Sequence, residues 1–231
     1  MKRSTLFHLC MVILFIACSK SEPKSYEYWN NLVSEKYEEI NALVQSVPCT
    51  DIEAFEIIKR NGYYPVHFSV RKQFDRLQVE LEQLQQERNI ASSREGMLSD
   101  IGPRIPNHPL RKVCDSGKAK LIYVKDLSME EIDSELPVRY KEIKAFYKDV
   151  RCTDASQWTG HYIFSDCKME AIAVHKTDRH EEMLERIDIY NLMKMRKAAS
   201  ENLNCNKTSS NSVFSIKPVE CRDEKPVVIE K

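Results

Sequence analysis

The chain has 231 residues, with 35 Lys and Arg against 35 Asp and Glu. That balance excludes the basic footprint of a nucleic-acid binder. Hydrophobic residues are 42% of the chain, with ten Tyr, eight Phe and two Trp, which excludes a disordered stalk, and only five Gly argue against a turn-rich β-sandwich or barrel.

Lys2 and Arg3 precede an apolar run from Leu6 to Ala17, and Phe15-Ile16-Ala17-Cys18 closes it. A basic start, a short apolar stretch and a small residue at its end make a secretory signal. The run is too short for a membrane span, which needs about 20 apolar residues. An ordinary cleavable signal would leave Cys18 as an odd thiol, whereas lipid on Cys18 makes the remaining cysteine count even. The segment resembles a bacterial lipobox, with Phe15 where Leu is usual. The resemblance implies a signal peptide over 1–17, lipid such as palmitate on Cys18, and a lipid-anchored tether over 18–28. The mature chain then carries 33 basic and 35 acidic residues, a net charge of −2. Ser19 after the lipid site implies, by analogy with enteric sorting, an outer-membrane lipoprotein. Without an acidic run after Cys18, the periplasmic face is expected.

The body repeats itself. KYEEINALVQSVPCTD at 36–51 and RYKEIKAFYKDVRCTD at 139–154 share eight of sixteen positions, including Cys49-Thr50-Asp51 and Cys152-Thr153-Asp154. Helical periodicity explains the shared apolar positions but not the Cys-Thr-Asp. The expected fold class is α+β: two tandem duplicated small units, 29–125 and 137–231, joined by a linker over 126–136. Each unit runs helix, antiparallel strands, helix, strands, and is stapled by disulfides.

In the first unit Tyr37, Ile40, Leu43, Val44 and Val47 recur at helical spacing. Thr50 and Asp51 then start a turn. Strands are expected over 54–58 and 63–70. Phe74, Leu77, Leu81 and Leu84 mark a helix over 71–90. Residues 92–108, with Gly96, Gly102, Pro103 and Pro106, read as a loop. An apolar–Cys–charged–apolar segment, 110–123, completes the unit. The second unit repeats the order. Its helix carries Tyr140, Ile143, Phe146, Tyr147 and Val150, with Pro137 in the first turn. Strands follow over 161–165 and 169–175, then a helix over 177–200 and a closing segment over 216–229. Val66-His67 aligns with Val174-His175, and Cys114 with Cys221.

Cys10 leaves with the signal and Cys18 takes the lipid, so six cysteines remain, with no CxxC spacing for zinc. An even set in an exported chain reads as three disulfides. The first copy holds only Cys49 and Cys114, which pair most simply with each other. Symmetry then pairs Cys152 with Cys221 and leaves Cys167 with Cys205.

The sequence holds no GxSxG, P-loop, GxGxxG or HExxH. His67 and His175 read as histidines that close a strand, and Asp51 and Asp154 as helix-end turn residues. No catalytic residue, metal ligand or cofactor is expected. The order Cys152, Trp158, Cys167, Cys205, Pro218, Cys221 resembles small Cys-rich secreted and lipoprotein modules of Bacteroidota-type bacteria. Their usual Gly-Gly-Pro is replaced by Lys168-Met169-Glu170. That resemblance implies a disulfide-stapled α+β module and no established activity. The functional expectation is a non-catalytic interaction module of the bacterial cell envelope, held to the membrane through Cys18, with an envelope protein and no nucleic acid as partner. The alternative is an inhibitor or immunity protein against an envelope hydrolase. Its candidate partner-binding tip is Arg104, between Pro103 and Pro106.

Overall fold

The computed structural model describes residues 23–97, 107–165, 168–202 and 218–229. The signal, Cys18, the Arg104 tip, Cys167 and Cys205 lie outside the described residues.

The described chain is α+β, and one order of elements occurs twice. The first copy runs α1 (Tyr26–Gln45), β1 (Phe55–Lys59), β2 (Tyr63–His67), α2 (Arg71–Arg94), β3 (Arg111–Asp115) and β4 (Lys118–Ile122). The second runs α3 (Met129–Ala145), β5 (Trp158–Ser165), β6 (Lys168–His175), α4 (His180–Ser200), β7 (Val219–Arg222) and β8 (Lys225–Val228). The strands form four antiparallel two-stranded ladders: β1–β2, β3–β4, β5–β6 and β7–β8.

The boundary between the copies differs from expectation. Residues 126–136, expected as a linker, are helical from Met129, and Pro137 lies inside α3. The cause is a capping box. The Ser128 hydroxyl accepts from the Glu131 N–H at 3.1 Å, and the Glu131 carboxylate accepts from the Ser128 N–H at 2.7 Å. Two helix-end donors are satisfied there, so the helix starts eight residues before the proline.

Two compact units divide the described residues: those up to Ser46 with those from Ser69 to 97, and Val47–Phe68 with those from 107 onward. These boundaries are not those of the two sequence copies, because the helices of the first copy cluster apart from its hairpins. In the first unit α1 and α2 run antiparallel. The Tyr26 N–H donates to Glu95 at one end, Gln85 donates to the Tyr37 hydroxyl in the middle, and Lys36 bridges Glu39 and Glu80. The stripe Phe74, Leu77 and Leu81 is buried, as are Val33, Ile40 and Val44 of α1.

In the second unit one apolar cluster joins α3, α4, β5 and β6. Ile132, Ile163, Val174 and Met193 are fully buried within it. A smaller cluster gathers Cys49, Phe55 and Ala119, with Val47, Ile52 and Ala54 packed on it.

The repeat extends to single hydrogen bonds. Cys49 is bridged to Cys114 and Cys152 to Cys221, with Cα atoms 5.5 and 5.3 Å apart. The Cys49 N–H donates to Gly117 O at 2.8 Å, and the Cys152 N–H donates to Glu224 O at 2.8 Å. Each bridge is thus doubled by a backbone bond from the same cysteine to the tip of the bridged hairpin. Both tips are two-residue turns with positive φ at both residues, Ser116-Gly117 at 51° and 76° and Asp223-Glu224 at 50° and 59°. Such turns match the twist of a hairpin. Glycine meets this geometry without a Cβ clash, whereas glutamate costs about 1 kcal/mol. Glu224→Gly should therefore stabilise the second unit by roughly 0.5–1 kcal/mol, after allowing for the looser unfolded chain and the lost exposed Arg151 contact. Urea unfolding checks this, and a destabilised variant would contradict it.

Candidate functional site

The residues singled out from sequence first find structural places. Asp51 accepts from the Glu53 N–H at 2.9 Å, and Asp154 accepts from the Ser156 N–H at 2.8 Å. Each caps a short 3-10 turn that leads into the first strand of its copy. The Asp154 carboxyl is held below its usual range by the Ser156 side chain and then the Ser156 N–H.

His67 sits opposite Phe55, and His175 opposite Trp158, in their respective ladders. Both pairs meet edge to face with ring centroids 4.9 Å apart. His175 Nδ1 accepts from the N–H of Thr177 at 3.2 Å and of Asp178 at 2.9 Å, which assigns the proton to Nε2, facing Gln157 Oε1 at 3.3 Å. His175 therefore closes the end of β6, the role read for it from the sequence.

A polar cluster that the sequence reading missed is centred on His108. The Tyr63 hydroxyl donates to His108 Nδ1 at 2.5 Å, and His108 Nε2 donates to Asp188 Oδ2 at 3.2 Å. Glu185 lies 3.7 Å from Nδ1, and Lys59 sits over the Tyr63 ring. Residues 45 and 80 positions apart meet here, so no local pattern announces them. Burial raises the Tyr63 phenol above its ordinary value, with Lys59 opposing. A phenol held protonated is a hydrogen-bond donor, not a nucleophile. The cluster therefore ties β2 to α4.

Burial also raises the Asp188 carboxyl, and the His108 hydrogen bond opposes that shift. A carboxyl raised in the folded state binds its proton more tightly there than in the unfolded chain. Its contribution to stability is fully present below the unfolded value, about 3.9, and is lost as pH rises through the folded value. Asp188→Asn removes this titration and keeps an acceptor for His108. Measured from pH 3 to pH 7, wild type should lose stability relative to Asp188→Asn as pH rises through that window. Parallel stability–pH curves would sink the assignment.

The second unit also carries an open groove of about 820 Å³ beside the Cys152–Cys221 bridge. The last turn of α3 contributes Ile143, the turn after it Tyr147, and α4 Met183. Ala171, Ile172 and Ala173 of β6 line it consecutively, as do Lys225 to Val228 of β8. Successive side chains of a strand point to opposite faces, so a groove that meets three in a row runs along the strand's edge. Its charged rim is mixed, with Lys148, Arg151 and Lys225 near Asp149, Asp223 and Glu224. Among the described residues no group of three or more His, Cys, Asp or Glu could hold a metal ion.

Compared with known proteins, the chain matches no family model, no curated protein and no solved structure.

Proposed function

We propose that the chain is an exported lipoprotein, held to the bacterial outer membrane through lipid on Cys18 and facing the periplasm. There it acts as a non-catalytic binding module for an envelope protein. The observation that carries this reading is the pair of disulfides at twin positions, Cys49–Cys114 and Cys152–Cys221. Such bridges persist in oxidising compartments and are rare in the cytosol. They agree with the signal-like start and the lipobox-like Ala17-Cys18. A bridge that fixes a hairpin against the preceding helix end also preorganises the groove beside it, which lowers the cost of binding. Among the described residues no helix is long and apolar enough to cross a membrane. A single acyl chain holds weakly, and the several chains of a bacterial lipoprotein make the anchoring stable.

Two measurements test the reading. The mature protein should partition into detergent, and Cys18→Ser should move it to the aqueous phase. Equal partition of both forms removes the anchor. Affinity capture of the mature protein from its own envelope, read by mass spectrometry, should return a partner that the reduced protein does not retain. Equal capture by the reduced protein removes the preorganised binding module.

A further inference from the structure

Strand β5 has its outer edge closed from within the unit. The Phe164 N–H donates to the Asn191 side-chain oxygen at 2.9 Å, and the Asn191 amide donates to Tyr162 O at 3.1 Å. Asn191 stands on α4 and imitates one rung of a neighbouring strand. Its bonds also settle the phase of the ladder. Tyr162 and Phe164 point their backbone groups away from β6, so they belong to non-hydrogen-bonded pairs. Tyr162 pairs with Ala171, and Gly160 with Ala173. In an antiparallel ladder that phase alternates, so Ala171 and Ala173 turn their N–H and C=O groups outward as well, away from β5.

That outward edge is the wall of the groove. Among the described residues β6 is laddered to β5 alone, and no backbone bond outside the ladders reaches Ala171 or Ala173. β8, which also lines the groove, is the poorer template. It contains Pro226, which has no N–H to offer. Pro226 pairs with Cys221, one position out from the Arg222–Lys225 pair that closes the two-residue turn. Its missing donor therefore falls on the outer edge, a device that protects edge strands from pairing.

We propose that the groove takes an extended segment of a partner protein, which adds as a strand to the outer edge of β6 at Ala171 and Ala173. This rests on the binding-module reading above and names the partner's chemistry: main chain in β conformation, with alternate side chains toward Ile143 and Met183 and toward the mixed-charge rim. Main-chain recognition fits a rim that carries both signs of charge and so selects no strongly charged ligand.

The test uses the mature chain and a displayed library of random peptides of about ten residues, the length of a strand. Selected peptides should slow hydrogen exchange at the Ala171 and Ala173 amides. Ala171→Pro removes an outward donor that the β5–β6 ladder does not use, and should weaken those peptides about tenfold, while Ala171→Val should hold within a few-fold. Peptides that protect other amides, or that bind Ala171→Pro unchanged, overturn the proposal. Exchange protection in the wild type decides the matter even if the proline variant does not fold. An envelope partner captured equally well by a folded Ala171→Pro variant overturns strand addition and leaves the binding module standing. Failure to capture any partner, with the peptides still protecting Ala171 and Ala173, removes the envelope reading and leaves the edge site standing.

Discussion

Replacing Cys152 and Cys221 together by Ala should destabilise the second unit by about 4 kcal/mol. The bridge joins residues 69 positions apart. In the chain-entropy account, closing a loop of that length removes about 4 kcal/mol of freedom from the unfolded chain. That is a large fraction of the 5–15 kcal/mol that typically holds a domain folded, about. The folded side of the balance also changes. β7 and β8 are four residues each and form a hairpin that is marginal by itself. Without the bridge, the hairpin keeps the Cys152 N–H bond to Glu224 O and its side-chain packing. Exchange at residues 219–228 should therefore rise more than exchange in β5. Urea unfolding followed by Trp158, buried in this unit, in a Trp29→Phe background measures the loss. A cost under about 1 kcal/mol would mean that the bridge neither restrains the unfolded chain nor holds the hairpin.

Ile163→Ala should cost about 3–4 kcal/mol, within the range for deleting a buried Ile side chain. Ile163 is fully buried in the cluster formed by α3, α4, β5 and β6, beside Val174, Met183 and Met193. Its strand is laddered over eight pairs, Trp158↔His175 to Ser165↔Lys168, so the backbone resists collapse into the space left. Retained volume is what drives the cost toward the upper part of the range. The methionines can follow the loss in part, which keeps it below the maximum. Ile163→Val, which removes one methyl group, should cost about 1 kcal/mol. The same urea experiment reads both, and equal costs for Ala and Val would show that the site is loosely packed.

Much of the fold was legible because it is local or duplicated. Helical spacing located α2 and α4 to within a few residues, whereas Tyr37 to Val47 marked only the later half of α1, which begins at Tyr26. The two Cys-Thr-Asp sequences located two equivalent turns, and their Asp side chains make the same cap at 2.9 and 2.8 Å. The alignment of Val66-His67 with Val174-His175 located the same cross-strand aromatic–histidine pair twice. The start of α3 was misplaced although its signal is present. Ser128 and Glu131 form the capping box, but Pro137 is the louder mark and drew the boundary toward itself.

By itself, then, the sequence determined the order of elements, the twin turns and the pairing of Cys49 with Cys114 and Cys152 with Cys221, because each follows from short-range preference or from comparing one copy with the other. The tertiary structure alone decided what is not repeated. His108 reaches Asp188 across 80 residues, and Asn191 closes the edge of β5 from a neighbouring helix. Among the described residues Asn191 caps one edge of the β5–β6 ladder, and no backbone bond reaches the other edge at Ala171 and Ala173. Two alanines look the same in a sequence whether their backbone groups face a ladder, a side chain or open space. Only the packing of α4 on β5 sets which edge is satisfied, and that packing belongs to no single segment of the chain.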